Sequence, residues 1–213
     1  RRGPTRFLSE KIAALGHPPK AFLSASAIGI YGDRGEEVLD ENSAPGQGFL
    51  PDVCVEWEAA TEPAESAGLR VCHLRLGAVL SRDGGALGKM KVPFQLGVGG
   101  PLGDGRQWFS WIGIDDVTGA VKHLLEHPDL SGPVNLTAPN AVRNAEFSMA
   151  LGRVLKRPAL MRAPAAALRL ALGEVADAVL LSSARVQPEA LTLTGYTFRF
   201  PEIEPALRHL LKK

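Results

Sequence analysis

Two short apolar runs, Ala21–Ala25 and Val71–Leu76, each follow a helical pattern closed by glycine. This order restricts the fold more than anything else in the chain. Phe7, Leu8, Ile12 and Leu15 fall on one helical face before Gly16, and His17-Pro18-Pro19 makes a turn. Residues 33–49 are polar and glycine-rich, which reads as a loop. Val53, Trp57, Ala60 and Ala64 share a face of a second helix over 53–67, and Gly68 ends it. The sequence order is helix, strand, loop, helix, strand, which is the rhythm of a parallel sheet with helices on its faces. Two parallel strands cannot cover both of their faces. Further strands are therefore expected at Trp108–Ile112 and Val134–Thr137, around a helix over Asp116–Glu126.

From Arg143 onward the pattern changes. Asn144 reads as the cap of a helix to Leu155, and Ala165–Leu172 and Val175–Leu181 read as apolar helices. A short strand is expected at Tyr196–Phe200 and an amphipathic helix through Ile203, Leu207, Leu210 and Leu211. The expected division is an α/β domain over residues 1–142 and a small, mostly helical C-terminal lobe over 143–213. The helices between Ala163 and Leu181 offer either a homodimer contact or packing between the lobes.

Several function classes are disfavoured by composition. The 213 residues carry a formal net charge of +1, with Arg and Lys scattered, so no field draws in nucleic acid. No run approaches the roughly 20 apolar residues that span a bilayer, and the opening residues carry no signal-peptide pattern. Cys54 and Cys72 lie in apolar surroundings with no metal-ligand spacing, as buried thiols in a reducing cytoplasm would. No metal site can be assembled from the five histidines.

Chemistry in a parallel sheet collects beyond the C-terminal ends of its strands. Ser24, Ser26 and Tyr31 lie at such an end. Between Gly84 and Gly105 the glycines are dense, which signals tight turns or close backbone approach to a ligand. No G-x-G-x-x-G fingerprint follows a strand there. Trp108 and Trp111 read as sharing one face of an extended segment, and Asp115 and Asp116 as a helix cap and first-turn charge.

Several stretches together resemble extended short-chain dehydrogenases/reductases. They are the run from Ser24 to Gly32, Trp57-Glu58-Ala59-Ala60, the run from Leu74 to Leu80, and the glycine-rich run from Gly99 through Arg106, Gln107 and Trp108 to Ile112. Leu172-Gly173-Glu174 and the run from Gly195 to Pro201 make the likeness closer. They resemble atypical nucleoside-diphosphate-sugar-epimerase-like proteins that end in a small domain of unknown function. The resemblance implies a Rossmann-like parallel sheet that is N-terminally incomplete here. An upstream segment on the order of 90 residues would carry the phosphate-binding glycines. It also implies NADP or NAD as cofactor and a small-molecule substrate. Ser24, Ala25, Arg75, Leu76, Gly77 and Ala78 would face the cofactor, and Arg106 and Gln107 a substrate phosphate or carboxylate.

The superfamily works with Ser, Tyr and Lys. Ser26 matches the Ser, but Leu50 and Cys54 fall where the Tyr-x-x-x-Lys pair belongs. Tyr31 is then the replacement candidate for acid/base work, with Arg34 and Arg75 the nearest cations by topology. Three readings follow: an NAD(P)-dependent oxidoreductase or epimerase-like enzyme, a nucleotide-binding regulatory protein without catalysis, and a protein-binding or structural module.

Overall fold

The computed structural model describes residues 1–82 and 84–212. Helix α1 (Arg2–Ala13) leads into strand β1 (Ala21–Ala27) and a single 3-10 turn, Ile28–Tyr31. The short strand β2 (Val38–Leu39) precedes α2 (Phe49–Ala59), α3 (Glu62–Ser66), β3 (Arg70–Leu76) and β4 (Ala78–Ser81). Next come α4 (Gly85–Gln95), β5 (Trp108–Phe109), β6 (Trp111–Gly113), α5 (Ile114–Glu126) and β7 (Gly132–Leu136). The remainder is β8 (Val142–Arg143), α6 (Asn144–Leu155), α7 (Ala165–Leu172), a π-helical turn (Ala176–Leu181), β9 (Arg185–Val186), α8 (Glu189–Leu193) and α9 (Ile203–Leu211).

The main sheet is parallel, in the order β1-β3-β7. The fold is α/β, as the alternation of helix and strand implies. Side chains alternate across it. Cys72, Leu74, Val134 and Leu136 face α5, where Ala120 and Leu124 complete a buried core. The opposite face is polar. Ser26, Arg75 and Asn135 are direct neighbours in register across the three strands and all are buried. Polar groups at such depth require partners, and those partners form the first half of the site below. A second core joins Leu80, Leu87, Phe94 and Trp111 to Phe147, Leu151, Leu207 and Leu210. The helices beyond residue 143 therefore share a core with β4, α4 and β6. No described helix is long and apolar enough to cross a membrane.

Several local expectations differ from the structure. The helix expected over 53–67 is two helices. Its break coincides with Thr61, whose hydroxyl donates to Glu58 O at 2.7 Å, and with Pro63, which lacks an N–H. On α1, Phe7 and Leu8 are exposed, as is Leu15 beyond its end, and Ser9 is the buried residue. Its hydroxyl donates to Thr61 O at 3.0 Å and accepts from Ala64 N at 2.9 Å. Asn144 is the first helical residue rather than the cap. Its side-chain amide oxygen accepts from Leu102 N at 2.8 Å, while the Glu146 carboxylate reaches back to accept from Arg143 N at 2.7 Å at the start of α6.

Residues 196–200 form no strand. They are held instead by the buried Asp116 carboxylate, which accepts from Arg199 N at 2.7 Å, Phe200 N at 3.1 Å and the Tyr196 hydroxyl at 3.1 Å. Trp108 and Trp111 do not share a face: they lie in separate strands, and a spacing of three inverts the side in a period-2 chain. Trp111 is fully buried, whereas Trp108 is half-buried beneath two guanidiniums.

Candidate functional site

Ser26, Arg75 and Asn135 anchor a buried network on the polar face of the sheet. Arg75 meets Glu58 of α2 through two parallel bonds of 2.9 Å, the strong fork geometry of a guanidinium and a carboxylate. Ser26 Oγ donates to the same carboxylate at 2.6 Å. Arg75 Nη1 donates to the Tyr31 hydroxyl oxygen at 3.0 Å, and that hydroxyl donates to Asn135 Oδ1 at 2.8 Å. Glu41 accepts from Asn135 N at 2.9 Å through one oxygen, while its other oxygen is buried with no partner among the described residues.

Burial shifts these groups in a consistent way. It raises the Glu58 carboxyl, but bonds from Arg75 and Ser26 more than offset it, so Glu58 lies below the usual carboxylate range. Burial also raises the Tyr31 phenol, and Arg75 draws it only partly back. Glu41 is raised by burial, against its backbone bonds. His73 is lowered by burial, with Glu58 and Glu65 opposing, so it stays neutral beside Thr61.

A separate cavity of about 650 Å³ opens at the C-terminal edge of the sheet. Ala27 ends β1 and Gly77 directly follows β3, and both line it. Gly77 is required there: a β-carbon would lie 2.9 Å from Ser110 O and from Thr137 Cγ2. Ile28, Gly29, Phe49, Leu50 and Ala78 add an apolar wall, and Trp108, Phe109 and Ser110 face it from β5 and beyond. The opposite wall is Glu174 to Ala184, contributed by the segment around the π-helical turn. This volume is typical of sites that hold a small ligand.

Of the residues singled out from sequence, Gly77, Ala78 and Gln107 line the cavity. Both amide donor bonds of Gln107 go to backbone, at Leu102 O and Leu180 O. Ser26, Tyr31 and Arg75 are brought together, but inside the network and off the cavity wall. Tyr31 is 0% exposed and Ser26 2%. Alternation along β1 explains this: Ser26 points to α2, which leaves Ala27 as the residue at the cavity edge. Ser24 is buried on the same side as Ser26, Ala25 is exposed, and Leu76 is not part of the wall. Arg106 is exposed and faces a shallow surface depression with Glu36 and Asp104.

Leu50 does line the cavity, in the place that the family resemblance gives to the acid/base Tyr. Cys54 lies behind it, buried and with its thiol raised by burial and by Glu58. Sequence reading missed Ala27, Phe49, Ser110 and the whole 174–184 wall. Only strand parity could have pointed to Ala27, and nothing local marks a wall that comes from so far along the chain. The glycine-rich run proves structural at Gly100, whose absent side chain lets its backbone abut that of Met161. Among the described residues, no group of three His, Cys, Asp or Glu could hold a metal.

Residues 163–210 match the family model described as a domain of unknown function, DUF1731. An epimerase family protein of Mycobacterium tuberculosis is 45% identical over 204 residues, which cover 96% of this chain and 67% of that protein. The crystal structure of the human epimerase family protein SDR39U1 with NADPH superposes with a TM-score of 0.93 at 35% identity. That match covers 98% of this chain and 71% of the human one. A nucleoside-diphosphate sugar epimerase from Corynebacterium glutamicum gives a TM-score of 0.81 at 40% identity, covering 98% of this chain and 41% of its own. With the parallel sheet, the cavity at its edge and these relatives in agreement, the chain belongs to the epimerase family of Rossmann-like, extended short-chain dehydrogenase/reductase proteins.

Proposed function

We propose that the protein binds NADP(H) at the C-terminal edge of the sheet and holds a small molecule beside it, without the Tyr–Lys proton relay of its superfamily. The observation that carries this reading is the cavity wall itself, where Ala27 and Leu50 stand at the strand end and at the acid/base position. The human relative's NADPH supports the choice of cofactor. The residues present suit a flat ring: Ala27, Gly29, Gly77 and Ala78 are small and leave backbone accessible.

When bound, the cofactor supplies a hydride donor or acceptor. The chain's own groups position and enclose. Ser110 Oγ donates to Ala184 O at 2.7 Å and accepts from Val186 N at 3.0 Å, which ties the far wall to the sheet. Gln107 fastens the π-helical turn through Leu180 O. The Ser26–Glu58–Arg75–Tyr31 network positions α2, and with it Leu50, against β1 and β3.

A catalytic reading through Tyr31 has one observation in its favour, the Arg75 donor at 3.0 Å. Complete burial and a raised phenol oppose it. Calorimetric titration with NADPH separates the readings when paired with an epimerase assay on UDP-glucose. Saturable NADPH binding with no interconversion of the sugar is expected, and Tyr31→Phe should keep the wild-type cofactor affinity within about twofold. Absence of NADPH binding, or sugar turnover that Tyr31→Phe abolishes, would contradict the proposal.

A further inference from the structure

A second pocket, of about 150 Å³, lies between α4, α6 and the glycine-rich run, next to the larger cavity. The buried Phe94 and Phe147 are its floor, and the exposed Val98 and Met161 form its rim. A β-carbon at Gly99 would strike the Phe94 ring, so the glycine run shapes this pocket. Asn144 lines both the pocket and the larger cavity. Phe109 of the larger wall packs on Phe147 of the smaller one, with ring centroids 4.7 Å apart.

Two buried polar side chains line this apolar space with hydrogen-bonding capacity left over. Ser148 is 2% exposed, yet its hydroxyl makes no hydrogen bond to any described residue. A helical hydroxyl commonly turns back to the carbonyl four residues earlier, as Thr118 does to Ile114 O at 3.1 Å. Ser148 does not. Asn144 is 5% exposed. The Leu102 N–H needs an acceptor, which fixes Asn144 Oδ1 toward it at 2.8 Å and leaves Nδ2 as a donor to no described residue. Buried polar groups are nearly always bonded, so these two call for a ligand oxygen. Cavities of about 150 Å³ hold a benzene-sized ring, and the flexible Met90 and Met161 let the walls adapt to it. We infer that this pocket is the subsite for an aromatic or branched apolar group of the substrate, and that Asn144 Nδ2 and the Ser148 hydroxyl hold a hydroxyl or carbonyl oxygen borne on that group. The inference deepens the reading above and rests on it only in placing this ligand beside the cofactor.

Phenol and fluorobenzene have nearly the same shape, and only phenol carries the hydroxyl. Each is titrated into the whole protein, with and without saturating NADPH, and read by NMR of isotope-labelled methionine methyls. The chain has three methionines: Met90 and Met161 line the pocket, and Met149 does not. Phenol is expected to shift the Met90 and Met161 signals saturably, to leave Met149 in place, and to bind about fivefold or more tightly than fluorobenzene, the worth of one hydrogen bond. Ser148→Ala should weaken phenol by about threefold or more and leave fluorobenzene unchanged. It should not lower the thermal midpoint, because the hydroxyl has no partner to lose. Absence of a saturable shift at Met90 and Met161, equal affinity for the two probes, or wild-type phenol affinity in Ser148→Ala would overturn the inference. So would a fall of more than about 3 °C in that variant's midpoint, which would mark the hydroxyl as structural, and so would displacement of phenol by NADPH. Failure of NADPH itself to bind would count against the cofactor reading alone, because the probes are also read without it.

Discussion

Arg75→Met is expected to destabilise the protein by about 3–5 kcal/mol, the range for breaking a buried ion pair from one side. The Arg75 and Glu58 side chains are 9% and 12% exposed. Removing the guanidinium leaves the Glu58 carboxylate with Ser26 and no cation, and removes a donor from the Tyr31 oxygen. Urea unfolding followed by circular dichroism gives the loss as a shift in midpoint at unchanged slope. A double variant, Glu58→Gln with Arg75→Met, should lose less than the sum of the two single changes, because neither charge is then stranded. The pH dependence has a definite sign. Glu58 is depressed in the folded protein, so its stabilising contribution is present above its unfolded value and is lost as pH falls through the folded one. The gap between wild type and Arg75→Met should therefore shrink in acid. A loss below about 1 kcal/mol near neutral pH would show that the network is not a structural anchor.

Trp111→Ala should cost a similar amount, about 3–5 kcal/mol, for a different reason. The indole is fully buried in the core shared by β4, α4, α6 and α9. Its Nε1 donates to Asn140 O at 3.1 Å, so truncation opens a cavity and leaves a carbonyl without its partner. Trp108→Ala is the control. Trp108 is half-buried on the cavity wall, and its loss should lower stability by less than about 1 kcal/mol. Thermal unfolding of the two variants checks the contrast, and equal losses would contradict the assignment of one tryptophan to the core and the other to the cavity.

The parallel sheet was legible in the sequence because its strands are short apolar runs set between helices. Ala21–Ala25 and Val71–Leu76 pair in parallel, and Val134 opens the part of β7 that pairs with Leu74. Elements fixed by polar side chains were not legible. Asp116 replaces an expected strand with a bonded loop. There a single hydrogen-bonding group outweighs the apolar pattern, which periodicity cannot register.

The candidate site divides in the same way. Gly77, Ala78 and Gln107 reach the cavity because they follow strand ends or a turn, positions that topology defines. Ser26 and Tyr31 share a strand end yet turn into the protein. One residue of parity separates Ser26 from Ala27, and that one residue exchanges the network for the cavity. Nothing local marked Asp177 or Leu180 as cavity residues, since their place depends on where a distant segment packs.

Hydrogen–deuterium exchange with and without NADPH tests the central claim most directly, because it locates the cofactor as well as detecting it. Saturating NADPH should slow exchange in residues 27–32, 77–78 and 107–110, the segments that line the cavity at the sheet edge. Binding that leaves those segments unchanged, or protection confined to other parts of the chain, would contradict the account.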